Sequence, residues 1–292
     1  MKKIVQVLFL FVSCLFLFSC STTNVENKNT SFEQDKETIY RVLSLRYAGY
    51  PEMREKGFTK KKWFNLRTYN EMSIYLNECV NDGHLSIRKY NTTIYQGKTD
   101  PKTNEYSNDP KDFFYYIETS NTMYIRSTSC VEKNKQYMKL QNYARRANKF
   151  NFIILDFRSN YGGNNGPIFD FFQELLDVGY KGKIIITQDR WSYSSGEAEI
   201  VAWWYQKQGY FKNKIILVGT NSGGMQLYGN CVELKKNDLV FWLPTKRFDF
   251  AKSNPLFEGE GIGYRPNIYA TKFTMKETIE KLGADLTGIE FN

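Results

Sequence analysis

The chain has 292 residues, 16% of them aromatic, and a formal charge of +9. That length suits one large domain or two small ones with a real core. Outside the cell the basic balance favours anionic membrane or wall polymers over nucleic acid. The scattered aromatic pairs (Tyr115-Tyr116, Trp203-Trp204, Phe241-Trp242) read as core and cleft, not as a platform for stacked bases.

Lys2 and Lys3 precede an almost continuous apolar stretch, Ile4 to Phe18, closed by Ser19 and Cys20. This is a secretory signal, too short and one-sided for a stable spanning helix. An ordinary cleaved signal peptide would have the same outline. Ser21 to about Lys36 is polar, as a tether would be. Glu37 to about Asp82 carries helical periodicity, with Pro51 and Gly57 as punctuation. Leu85 to Tyr90 alternates apolar and basic, as an exposed strand does, and Asn91 to Lys111 reads as a loop or hairpin excursion. Met123 to Arg126 is a short strand, and Lys133 to Lys149 a polar-faced helix.

From Phe152 strand and helix alternate. Strand Phe152–Phe157 is followed by helix Ile168–Val178, strand Lys183–Thr187, helix Gly196–Gln208 and strand Lys214–Val218. Val232 to Leu243 reads as a β-hairpin turning at Asn237-Asp238, and Lys276 to Leu282 is a last helix. The alternation argues for an α/β core. Without Cys14, in the signal, and Cys20, three cysteines remain: Cys79, Cys130 and Cys231. One disulfide is open to them, the pair undetermined, and a lone histidine with scattered cysteines does not make a zinc site.

Three features carry chemistry. Trp191-Ser192-Tyr193-Ser194-Ser195-Gly196-Glu197 lies between a strand and a helix, where free backbone N–H groups favour negative charge. A serine nucleophile there needs a base, and the chain has one histidine, His84 in Asn81-Asp82-Gly83-His84-Leu85. The loop Arg158-Ser159-Asn160-Tyr161-Gly162-Gly163-Asn164-Asn165-Gly166 lacks both the dinucleotide and the phosphate-loop spacing, which leaves amides suited to an oxyanion or a simple tight turn.

Together these segments resemble the C-terminal processing (tail-specific) serine peptidases. Asp156-Phe157-Arg158-Ser159-Asn160-Tyr161-Gly162-Gly163 is similar to that family's Asp-Leu-Arg-x-Asn-x-Gly-Gly signature, and Ser192 to Glu197 to its nucleophile motif, with a serine three residues before a glutamate. Val218 to Gly224 resembles the following strand and glycine turn, and Phe257-Glu258-Gly259-Glu260-Gly261-Ile262 through Pro266-Asn267-Ile268 the closing element. Met225 stands where one branch places its lysine base, while Gly223-Gly224 and Asp82-Gly83-His84 match the histidine-using, tricorn-type branch. Residues 85–123 are too few for a PDZ module. Leu17-Phe18-Ser19-Cys20 resembles a bacterial lipobox, with Cys20 as the acylated residue.

The resemblance implies a crotonase/ClpP-like spiral of ββα units, running from about residue 85 to 292, behind a small helical subdomain at 37–84. It implies peptide-bond hydrolysis through an acyl-enzyme, with no cofactor or metal. Ser194 would be the nucleophile and His84 the base, with Ser195, Gly162 and Gly163 forming the oxyanion hole. Glu258, or else Glu197, would orient the histidine. Asp156 and Arg158 are expected to brace the glycine loop. The expected partners are a polypeptide substrate and a membrane holding the lipid on an exported protein, with no nucleic acid. The alternatives are a relative that binds peptides without cutting, and a basic surface lipoprotein that binds an anionic polymer.

Overall fold

The computed structural model describes residues 31–97 and 113–291. The expected signal segment and Cys20 lie outside these residues. Helix α1 (Phe32–Arg46) starts inside the stretch read as tether, because Ser31 and Gln34 close a reciprocal capping box on its first turn. Helices α2 (Tyr50–Glu55), α3 (Lys60–Asn65) and α4 (Tyr69–Cys79) follow, with Thr59 and Thr68 capping the last two. Strands β1 (Ser86–Lys89) and β2 (Thr92–Gln96) form a hairpin.

Next come β3 (Phe114–Glu118), β4 (Thr122–Ser127) and the single-turn helix α5 (Gln141–Ala144). The expected helix over 133–149 is broken into short pieces around α5. Its buried residues Tyr137, Leu140, Ala144 and Ala147 are held by bonds such as Leu140 N–H to Tyr137 O and Phe150 N–H to Ala147 O. These span three residues, the tighter 3₁₀ winding used in short stretches.

The alternating half is β5 (Phe152–Asp156), α6 (Gly166–Asp177), β6 (Lys183–Gln188), α7 (Glu199–Lys207) and β7 (Ile215–Gly219). A long hairpin follows, β8 (Tyr228–Lys236) and β9 (Leu239–Arg247), then β10 (Phe257–Gly259), β11 (Gly263–Tyr264), β12 (Ile268–Tyr269) and helix α8 (Met275–Glu280). Asn237 takes the positive φ (52°) that the hairpin turn requires.

Six strands form the main sheet in the order β12-β7-β6-β5-β4-β3, parallel except for β3 at its edge. Both faces are covered, which is why β5 is apolar at nearly every position. Ile153, Leu155, Ile184 and Ile186 pack with residues of α6 and α7, whereas Ile154 and Ile185 face α8 and the C-terminal segment. A second, antiparallel sheet runs β2-β1-β9-β8. The N-terminal helices close their core on this sheet, through Leu85, Ile87, Leu239, Phe241 and Leu243. The stretch 37–84 therefore shares one core with strands from far along the chain. The fold is mixed α/β. The loops after β5, β6 and β7 leave the same edge of the parallel sheet, where ligands settle in open α/β folds.

Candidate active site

Asp156 ends β5 with no exposed surface and anchors the loop that follows. It accepts hydrogen bonds from Arg158 Nε (2.8 Å) and a second guanidinium nitrogen (2.7 Å), from Tyr124 Oη (2.6 Å) and from Thr187 Oγ1 (2.6 Å). Burial alone would raise its carboxyl, but the Arg158 charge outweighs burial and holds it well below the usual range. Asn160 extends the scaffold, its Nδ2 donating to Ser127 O (2.8 Å) and its Oδ1 accepting from Gly162 N–H (2.9 Å). The Gly162 amide is thereby committed. Among the described residues the Gly163 N–H and the Ser195 N–H donate to nothing, so these two of the three expected oxyanion donors remain available.

The serine turn lies against this loop. Tyr193 N–H donates to Asn160 O (2.8 Å), and a Cβ on Gly196 would come within 2.2 Å of that same carbonyl, so only glycine fits there. The turn's three hydroxyls differ in their commitments. Ser192 Oγ donates to Phe157 O (2.8 Å) and Ser195 Oγ to Gly163 O (2.8 Å). Ser194 Oγ has no hydrogen-bond partner among the described residues. Its backbone takes a positive φ of 52°, a strained conformation for a serine. A Cβ added at Gly162 would lie 2.8 Å from Ser194 Cβ and 3.1 Å from Ser195 N, so the glycine loop closely abuts the serine.

Glu197 is fully buried and grips the turn after β7. Its carboxylate accepts from Ser222 Oγ (2.6 Å), Gly224 N–H (2.8 Å), Met225 N–H (3.0 Å) and Gln226 Nε2 (2.9 Å). Burial pushes this carboxyl up, and the donors partly offset the rise. No hydrogen bond or ion pair joins it to His84. Gln226 Nε2 also donates to Ser194 O, while its backbone N–H donates to Glu260 Oε2 (2.9 Å). One glutamine therefore links the serine turn, Glu197 and Glu260.

His84 lies in the segment between α4 and β1, with its side chain 9% exposed. Its N–H donates to Asp82 Oδ1 (2.8 Å), and Nδ1 stands 3.4 Å from the same oxygen. Ligand atoms of Asp82, His84 and Glu260 lie within 4.8 Å of one another, the one His/Cys/acid group of metal-binding proximity among the described residues. Asp82 Oδ2, His84 Nδ1 and Glu260 Oε1 are buried without hydrogen-bond partners. Burial, with the charges of Asp82 and Glu197, pushes the Glu260 carboxyl well above the usual range.

The two glutamates of the closing segment face different ways. Glu258 points outward, where it accepts from Asn221 Nδ2 (2.7 Å) and faces Arg265 at 3.8 Å. Glu260, two residues on, turns inward, with Oε2 also accepting from Leu227 N–H (2.8 Å). Residues two apart share a face in a regular strand, but Gly259 takes a positive φ (136°) and the register shifts between Phe257 and Gly259, so one glutamate of Glu-Gly-Glu points in and one out. Sequence alone does not say which. Gln226 had no sequence signal beyond its place after the glycine turn. A Cβ on Gly83 would meet the Met225 side chain at 2.9 Å, so His84 and Ser194 approach the same turn, residues 222–226, from different segments. No hydrogen bond joins Ser194 to His84.

Cys79, Cys130 and Cys231 are all free thiols. No helix of the described residues is long and apolar enough to cross a membrane.

No protein-family model matches the sequence, and no curated protein matches it. Solved structures do. A candidate peptidase from Parabacteroides merdae aligns with a TM-score of 0.51 at 12% identity, over 87% of this chain and 97% of that one. A lipoprotein from Streptococcus agalactiae aligns at 0.48 and 15%, over 89% and 99%. Mature CPAF complexed with lactacystin aligns at 0.49 and 9%, over 85% and 96%. A TM-score of 0.51 at 12% identity marks a common fold and nothing finer.

Proposed function

We propose that this chain is an exported serine peptidase, lipid-anchored through Cys20, that cuts polypeptides through an acyl-enzyme formed on Ser194. The observation that carries the proposal is the uncommitted Ser194 hydroxyl. It sits on a strained, positive-φ turn, next to two unused backbone N–H groups, while the neighbouring Ser192 and Ser195 hydroxyls are tied to carbonyls. The likeness in fold to a candidate peptidase, and the sequence resemblance to the histidine-using tail-specific enzymes with their spiral core, agree with it.

In this mechanism Ser194 Oγ attacks the scissile carbonyl, and His84 takes its proton and returns it to the leaving amine. Substrate binding brings the two side chains together, since catalytic hydrogen bonds often tighten only in the complex. The N–H groups of Ser195 and Gly163 receive the oxyanion. Such a donor contributes about 2.7–4 kcal/mol to the transition state. Asp82 holds the imidazole from its Nδ1 side, and Glu260 beside it helps stabilise the imidazolium, the role the resemblance gives to Glu258 or Glu197. Glu197 instead fixes the 222–226 turn and, through Gln226, the serine carbonyl.

The absent Ser194–His84 hydrogen bond is also what a peptide binder without catalysis would display. Hydrolysis of an unfolded protein substrate separates the two. The wild type cuts, and Ser194→Ala and His84→Ala each lose at least about a hundredfold in rate. A wild type that binds the substrate without cutting it would make the chain a binder.

A further inference from the structure

Asp82 Oδ1 and His84 Nδ1 stand 3.4 Å apart with no hydrogen bond between them. Two ligands bound at 2.0–2.1 Å to a tetrahedral zinc ion stand about 3.3 Å apart. Glu260 offers a third ligand atom, and the three atoms lie within 4.8 Å of one another. A point within about 2.8 Å of all three therefore exists, and zinc distances are reached when each closes by less than about 1 Å. Glu260 Oε2 is held by the Gln226 and Leu227 N–H groups, which leaves Oε1 uncommitted. Asp82 is 1% and Glu260 6% exposed, and buried acceptors left open in this way call for a partner. The ligand atoms converge, so an ion lies between them and needs no adjoining cavity. One imidazole and two carboxylates suit a zinc-like ion, whereas calcium and magnesium take six or more oxygens. Glu199, in the first turn of α7, is a further buried acid with both oxygens unpartnered, but it belongs to no such group among the described residues.

We infer that Asp82, His84 and Glu260 form a binding site for a zinc-class divalent cation, and that the bound ion switches the serine site off. Coordination through Nδ1 uses the lone pair of that nitrogen, so the neutral ring carries its proton on Nε2. Nε2 is the nitrogen left to take the Ser194 proton, and once protonated it cannot act as the base. The inhibition rests on the mechanism proposed above; the ion site does not. Carboxylates here take the places that the scattered cysteines could not fill.

The test is calorimetric titration of the full-length protein with zinc chloride, in mild detergent at pH 7, beside fluorophosphonate labelling of Ser194 with and without zinc. The expected result is one equivalent of zinc bound, unchanged in Ser194→Ala and weakened at least tenfold in His84→Ala and in Glu260→Gln. A measurement on the wild type alone guards against misfolded variants: cobalt(II) should give the intense visible absorption of a four-coordinate site, and zinc should bleach it. Labelling should fall at least tenfold in saturating zinc and return with EDTA. Zinc bound at this site by a protein that the probe never labels upholds the site and refutes the peptidase reading instead. No stoichiometric binding by the wild type, equal binding by a folded His84→Ala, or labelling untouched by bound zinc would overturn the inference.

Discussion

Replacing Glu199 with glutamine should change how stability depends on pH, by an amount the structure sets. The carboxyl rises from its ordinary 4.5 to about 8 chiefly because it is buried, and the Glu197 charge adds to the rise. An acid whose folded value is raised holds its proton more tightly in the folded chain, so its contribution is complete below the unfolded value and is lost as pH climbs toward the folded one. Each unit of separation corresponds to about 1.4 kcal/mol. Between pH 5 and pH 7 the wild type should therefore lose about 2–3 kcal/mol through this residue alone. Glutamine has nearly the same shape and no proton to lose. Urea unfolding of both proteins at pH 5, 6, 7 and 8 measures the difference directly, and subtraction cancels Glu197 and Glu260, whose carboxyls are also raised. The two should be close at pH 5, with the variant increasingly the more stable above it. Parallel stability curves from pH 5 to 8 would refute the account of Glu199 as an unpaired buried acid.

Four more substitutions separate the roles of neighbouring groups. Glu260→Gln should lower kcat at least about tenfold with little change in KM, and Glu258→Gln, on the exposed side, should leave kcat within about twofold; steady-state kinetics decide. Asp156→Asn should cost about 3–5 kcal/mol at pH 7 by leaving Arg158 buried against a neutral partner. Because the Asp156 carboxyl is held low, its contribution is present above its ordinary 3.8 and disappears as pH falls below that, so the gap to the wild type in denaturant unfolding should narrow in acid. Gly196→Ala places a Cβ 2.2 Å from Asn160 O and should displace the serine turn, lowering kcat at least about tenfold while the circular-dichroism spectrum stays unchanged.

The alternating half of the fold was legible because its signals are local. β5, β6 and β7 are short apolar runs, α6 and α7 lie between them, and Asn237-Asp238 marks the hairpin. The long-range pairing of β1 with β9 left no such mark, since no local pattern says that residues 86–89 join 239–242. The start of α1 could have been read from Ser31 and Gln34, but the polar composition around them resembles a tether. In the candidate site, Ser194, His84 and the glycine loop stood out because their residue types are chemically scarce or conformationally demanding. Which hydroxyl remains uncommitted depends on partners 30 residues or more away, Phe157 O for Ser192 and Gly163 O for Ser195, whereas the Gly162 amide is taken by the side chain of Asn160 two residues before it.

The central claim is that Ser194 is an activated nucleophile, and one adduct tests it. The protein is treated with a fluorophosphonate probe, digested, and the modified peptide sequenced by mass spectrometry. Phosphonylation of Ser194, abolished in Ser194→Ala and strongly slowed in His84→Ala, is the predicted result. No adduct, or an adduct on Ser192 or Ser195, would contradict it.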